Sequence, residues 1–288
     1  MAATDIDVVV PARRAATVSR LLMGLAAGDD RPDLVTLIGH EVPDDQPAFG
    51  LTVRLLRPAS TRYPIGDHDV AVRRNIGIWR SPCARIIGLD DDVVPAADTV
   101  AACRRLLAED AYVWGHHRYR DLSAVGTDPE LVARLVHTPA GAGRSRELGV
   151  NRWHLYQSCY AGMFAARRDE LIASGGFDLA YCGRHAGEDQ DLGLRLARRI
   201  HGREQVFIHE PPFAWHPEQP EPWGPPGWTN LCSGGHRTRS TVRNGLDLMS
   251  CLDCPWMTTD RPPKATDPLP LLAFDPGQAS ATEVWLKD

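Results

Sequence analysis

"AVRRNIGIWRSPCARIIGLDDDVVP", residues 71–95, is the stretch on which the reading of this chain turns. Val72, Ile76 and Trp79 repeat at helical spacing, so its first half predicts a helix with one apolar face. "RIIGL" is then an apolar run of strand length, and Asp90, Asp91 and Asp92 follow it directly. Aspartate is depleted in strands and neighbouring like charges repel, so the strand ends there and leaves three carboxylates at its carboxyl end. Several close carboxylates suit a hard divalent cation, Mg²⁺ or Mn²⁺. They would serve equally as a solvated turn capping the helix into which "DDVVPAADTV" leads, and spacing alone does not choose between the two.

Working outward, "IDVVVP" (6–11) reads as a strand stopped by proline. Val18, Leu21, Leu22 and Leu25 follow at i, i+3, i+4 and i+7, with Gly28 as a stop, which predicts an amphipathic helix. "DLVTLIG" (33–39) and "LTVRLLR" (51–57) read as the next strands. Val100, Cys103 and Leu107 then mark another helix, and "AYVWG" (111–115) another strand. Strands alternating with helices argue for a mainly parallel sheet covered on both faces. Ligands of such sheets lie outside the carboxyl ends of the strands, where the aspartates stand. Residues 116–150 are polar and read as a mobile connection. Beyond them, "QSCYAGMFAARRDELIASGGFD" reads as a strand, a helix and a Gly-Gly turn. In "GEDQDLGLRLARRIHG" a helix sets Leu192, Leu196 and Ile200 on one face and turns Arg195, Arg198 and Arg199 away, and "EQVFIHEPPFAWHP" reads as one more strand and a turn.

Composition sets the outer limits. With 288 residues, 43% hydrophobic and 24% charged, the chain is long enough for a substantial core and ordinary for a globular protein. A net charge of −5 gives no reason to expect nucleic acid as a partner. No apolar stretch has the length of a transmembrane segment. "MAATDIDVVVPARR" puts acidic residues ahead of its apolar run, the reverse of a secretory signal, and this points to the cytoplasm. Most of the seven cysteines read as small buried hydrophobes.

The stretch at 71–95 resembles the donor-binding segment of family 2 glycosyltransferases, in which an Arg-Asn-x-Gly helix precedes an apolar strand and a DxD motif. Arg74, Asn75, Gly77 and Asp90 to Asp92 match it. The resemblance implies a GT-A fold, which is Rossmann-like α/β with a mixed, mostly parallel sheet and helices on both faces. It implies a nucleotide-diphospho-sugar donor contacted by Pro11, Arg74, Asn75, Asp90 and Asp91. The implied metal ligands are Asp90, Asp92 and, from "FAWHP", His216, with Mn²⁺ or Mg²⁺ as the cofactor. For Arg73 and Arg74 the alternative is a solvated helix face, expected to hold for one of the two. An acidic residue follows the second strand in the family, and Glu41, Asp44 or Asp45 would stand in for it here.

"GGFDLAYCGRHAGEDQDLGLRL" resembles the Gly-Gly-Phe-Asp … Gly-Glu-Asp-x-Asp-Leu segment of the same superfamily, in particular its galactosyltransferase-like C-terminal module. Inverting glycosyl transfer displaces the leaving group directly, so a carboxylate must take the acceptor hydroxyl's proton. The resemblance makes Asp189 that base and Glu188 the residue orienting the acceptor, at a helix N-terminus where the dipole favours ionised carboxylates. By themselves, Glu188, Asp189 and Asp191 would read only as charge complements of that helix end. The chain has "GRHAG" where the module has Gly-Trp-Gly, so the sugar is not implied.

Two units follow. The resemblance implies a glycosyltransferase domain over residues 1–216, and 217–288 would be an irregular extension, rich in Pro and Trp, packed on it. Within the extension Cys232, His236, Cys251 and Cys254 fall as C-x3-H … C-x2-C, a spacing that also fits structural Zn²⁺, buried thiols or a local disulfide. Trp223 and Trp228 suit packing on the core or a lid over an acceptor sugar. The expected activity is single transfer of a sugar to a hydroxyl of a small or lipid-linked acceptor. One alternative is a sugar-phosphate nucleotidyltransferase, although "PARRAATVSR" lacks the glycine-rich loop that chemistry needs. The other is a catalytically inactive binding scaffold of the same fold.

Overall fold

The apolar run "IDVVVP" becomes β1 (Ile6–Pro11), buried at every position, as a strand covered on both faces must be. The computed structural model describes residues 5–61, 70–142, 144–145, 150–155, 159, 162–179, 188–217, 238–243, 246–251 and 274–288. After β1 comes α1 (Ala15–Ala27), which buries Val18, Leu21, Leu22 and Leu25 and ends at Gly28. β2 (Leu34–Ile38), β3 (Val53–Thr61), α2 (Val70–Arg80) and β4 (Arg85–Leu89) follow. β1 lies between β2 and β4, parallel to both, and β3 is parallel to β2. The carboxyl ends of these strands therefore open at one edge of the sheet, where Asp90 to Asp92 begin.

β5 (Val94–Pro95), α3 (Thr99–Glu109) and β6 (Tyr112–Arg120) come next. The polar stretch expected to be a mobile connection is instead ordered over much of its length. β6 runs on to Arg120, and α4 (Pro129–Val136) follows, with Asp128 accepting the Glu130 and Leu131 N–H groups and Val132, Leu135 and Val136 buried. An eight-residue helix shows little periodicity in a sequence, which is why composition hid it. β7 (Arg144–Ser145), β8 (Arg152–Leu155), β9 (Met163–Arg167), α5 (Arg168–Ala173), α6 (Glu188–His201) and β10 (Gln205–Pro217) complete the middle of the chain. β9 runs antiparallel between β4 and β6, and β10 returns parallel to β6. The sheet is thus parallel across its first four strands and mixed beyond them, in the order β3-β2-β1-β4-β9-β6-β10-β5.

β11 (Thr238–Arg243) and β12 (Leu246–Cys251) pair as a separate hairpin. Irregular by pattern, the C-terminal extension nonetheless ends in β13 (Ala279–Trp285), which adds to β3 antiparallel at the outer edge of the main sheet. Phe274 packs edge-on to Trp79 of α2 with ring centroids 5.2 Å apart.

Gly77 brings α2 close to β1, since a Cβ there would stand 2.4 Å from Val9 Cγ1. That close approach positions the site, because Arg73, Arg74 and Asn75 are carried on α2 beside the strand ends.

Candidate active site

Three adjacent aspartates take three different surroundings. Asp91 is 1% exposed and turns inward, where Oδ2 accepts the backbone N–H groups of Arg13 (2.8 Å) and Arg14 (3.1 Å). It thereby ties the end of β4 to the loop between β1 and α1, the loop that follows Pro11. Burial raises its carboxyl above the usual range, against the pull of those N–H groups and of the nearby arginines. Asp90 and Asp92 remain partly exposed and converge with His216 from the end of β10, their ligand atoms all within 4.8 Å of one another. His216 Nδ1 lies 2.9 Å from the Pro217 carbonyl oxygen. A carbonyl only accepts, so Nδ1 donates there and Nε2, 3.9 Å from Asp92 Oδ1, is the ring nitrogen that faces the carboxylates. His117 stacks on the same ring at 5.5 Å and Tyr119 tilts against it at 5.3 Å. Two carboxylates and an imidazole fit a divalent cation, and the imidazole suits Mn²⁺ better than Mg²⁺.

Arginines surround the cluster. Arg14, whose side chain is 55% exposed, reaches Asp92 at 3.1 Å. Arg74 is buried and donates to Asp90 at 2.5 Å and to Glu188 at 3.1 Å. Burial opposes ionisation of Asp90, but Arg74, His216 and His117 outweigh it and hold its carboxyl below the usual range. For Glu188 burial wins, helped by the charge of Asp90, and its carboxyl is raised despite Arg74. Asp189, 8% exposed, follows in the first turn of α6 and accepts the Gln190 N–H at 2.8 Å. Asp191 is fully buried and receives Arg195 Nε at 2.7 Å, while Arg195 also donates to the Ser174 carbonyl. Arg195, expected to point away, is thus half-buried and pins α6 to the turn after α5.

Other sequence-derived residues are placed as follows. Neither Arg73 nor Arg74 lies on a solvated face, since both are 2% exposed. The helix side that carries them faces strand ends and carboxylates rather than water, which hydropathy along the chain does not reveal. Arg73 donates to the carbonyls of Ala12 (2.7 Å) and Ile38 (3.3 Å) and to both oxygens of Glu41. Of the three acidic residues after β2, Glu41 is therefore the one fastened to the strand ends, whereas Asp44 pairs with Arg57. Asn75 is fully buried and exchanges two 2.8 Å hydrogen bonds with the backbone of Phe177. It holds the Gly-Gly-Phe turn, where Gly176 takes φ +65° and a Cβ would stand 2.4 Å from Asn75 Oδ1. Pro11 closes β1 in register with Ile38. Arg14 joins the site without having been singled out, and its place beside Arg13 in the loop after the first strand was the available signal. Cys232, His236 and Cys254, with Trp223 and Trp228, lie outside the described residues, and of Cys251 only the backbone, in β12, is described. Cys83, Cys103 and Cys159 are free and buried.

The fold, a mixed sheet with helices, is that of the GT-A glycosyltransferases. Two solved structures of TarS from S. aureus share it. The 1–349 fragment matches with a TM-score of 0.50 at 11% identity over 74% of this chain, and the other structure with 0.50 at 12% over 75%. The chain spans 60% of the first and 37% of the second, and at such identities the likeness is one of fold. No protein-family model matches the chain, and no curated protein sequence does. Among the described residues no helix is long and apolar enough to cross a membrane.

Proposed function

We propose that this protein is a divalent-cation-dependent glycosyltransferase that moves a sugar from a nucleotide-diphosphate donor to a hydroxyl of a small or lipid-linked acceptor, with inversion. The observation that carries this reading is the convergence of Asp90, Asp92 and His216, from two strand ends, beside the pair Glu188 and Asp189. Asp90, Asp92 and His216 would hold the cation, Mn²⁺ or Mg²⁺. When bound it supplies charge neutralisation for a departing diphosphate.

The chain's own residues have the remaining roles. Arg14, exposed just before α1 and paired with Asp92 at 3.1 Å and Asp91 at 3.5 Å, would turn from these carboxylates to a donor phosphate. Asp189 would take the acceptor's proton as its oxygen attacks, at the first turn of α6 where the helix dipole favours the carboxylate. Glu188, held by Arg74, would accept a hydrogen bond from the acceptor and orient it for in-line attack. Pro11 and the backbone fastened by Asn75 and Asp91 would frame the donor pocket.

The test is a thermal-shift panel of nucleoside diphosphates, with and without Mn²⁺, on the wild type and on Asp92→Ala. A ligand at a hundred times its dissociation constant stabilises by ~2.7 kcal/mol. The expected result is a cation-dependent rise with one diphosphate that disappears in the variant. A panel without any shift would refute the proposal.

A further inference from the structure

Arg74 belongs to both carboxylate groups of the site at once. One terminal nitrogen donates to Asp90 and the other to Glu188, while Cζ lies 5.0 Å from the centroid of the Phe177 ring. At 2% exposure water does not solvate this charge, so the protein must balance it. Asp90 and Glu188 do so at contact, and Asp189 adds to them from nearby. A cation taken up by Asp90, Asp92 and His216 draws on the same Asp90 carboxylate that Arg74 holds.

We infer that Arg74 is a positioning residue that couples cation binding to the placement of Glu188: it divides its two-armed hold between Asp90 and Glu188, and a cation at Asp90 shifts that hold toward Glu188. The inference rests on the proposed cation site and goes beyond it, since it makes the metal end and the acceptor end of the pocket one electrostatic unit. The planar fork of arginine is needed, because an ammonium is a point charge on a flexible stem and does not present two fixed, parallel donors. Phe177 supports the fork from its face, and Asn75 holds the Phe177 backbone. α2, the turn after α5 and the start of α6 are therefore joined through this guanidinium and its supports.

The test measures Mn²⁺ binding to the full chain without nucleotide, by calorimetry and by the resonance signal of free Mn²⁺. The proteins are the wild type, Arg74→Met, Arg74→Lys, Glu188→Gln and the double variants of Glu188→Gln with each Arg74 change. Arg74→Met removes a positive charge that competes for Asp90, and is expected to bind Mn²⁺ about tenfold more tightly. Glu188→Gln takes one of the two contacting carboxylates from Arg74 and turns its hold toward Asp90, and is expected to weaken Mn²⁺ about threefold in the wild-type background and by clearly less beside Arg74→Met. Arg74→Lys keeps the charge and guards against misfolding of the methionine variant. It is expected to stay within about twofold of the wild type for Mn²⁺ while the effect of Glu188→Gln shrinks.

Unchanged or weaker Mn²⁺ binding in a folded Arg74→Met would overturn the inference. So would an effect of Glu188→Gln that is equal in all backgrounds, or a wild type that takes up no Mn²⁺. A wild type that binds Mn²⁺ with this coupling but no nucleoside diphosphate would refute the transferase proposal and leave the coupling standing.

Discussion

Asn75→Ala separates a residue that holds the pocket together from one that touches the donor. The side chain is fully buried and makes two hydrogen bonds, Nδ2–H to the Phe177 carbonyl and Oδ1 from the Phe177 N–H, both 2.8 Å. Alanine leaves a backbone donor and a backbone acceptor unpaired in a site closed to water. Each buried group left unsatisfied loses ~1–3 kcal/mol, so the variant should be less stable by about 3–4 kcal/mol. For a chain of this size that lowers Tm by roughly 5–7 °C. The assay is denaturant unfolding together with calorimetry, followed by titration of the nucleoside diphosphate found in the thermal-shift panel, at a temperature where the variant is folded. Its dissociation constant should change by less than about threefold. A stability loss under 1 kcal/mol, with a large loss of nucleotide affinity, would refute the reasoning and return Asn75 to a direct donor contact.

Three further outcomes are expected. Gly77→Ala places a Cβ 2.4 Å from Val9 Cγ1, so α2 must shift outward; overpacking of this kind is destabilising by about 1–3 kcal/mol, which denaturant unfolding measures, and Mn²⁺ affinity should not fall, because the shift draws Arg74 back from Asp90. His216→Ala removes the imidazole of the cation cluster and should weaken Mn²⁺ at least tenfold in a titration, with little change in Tm of the metal-free protein. Asp7, buried in β1 beside Thr36 and Arg54, has its carboxyl pushed up to about 6 by burial, from an ordinary value of 3.8. Since the folded value lies above the unfolded one, the stability this group contributes is full below about pH 4 and is lost as pH rises through about 6. The loss is of order 3 kcal/mol, and Asp7→Asn should flatten the fall in Tm between those two pH values.

Local pattern settles as much as it does here because strands and helices carry their burial in their period. β1, β2, β4, α1 and α2 lie where alternating apolar runs and stops put them, within a residue or two. The strand end at Asp90 is legible for the same reason, since three carboxylates cannot continue a buried strand. α4 was not legible, because a helix of two turns that buries only Val132, Leu135 and Val136 shows little periodicity within a polar stretch. β13 was not either: its exposed and half-buried residues have no strong alternation, and its place at the sheet edge comes from pairing with β3.

The site divides along the same line. Sequence by itself determined the residue types and their attachment: carboxylates after β4, arginines on α2, and Glu188 with Asp189 at the start of α6. Only the tertiary structure decided which way each points. It turned Asp91 inward to the N–H groups of Arg13 and Arg14, and left Asp90 and Asp92 to meet His216, which is 124 residues beyond Asp92 along the chain. It buried both Arg73 and Arg74, and gave Arg74 two carboxylates from different elements. The physical reason is range. Periodicity reports whether a side chain leaves water, a local property of the chain, whereas a buried charge is tolerable only beside its partner, and the strand order of the sheet chooses that partner.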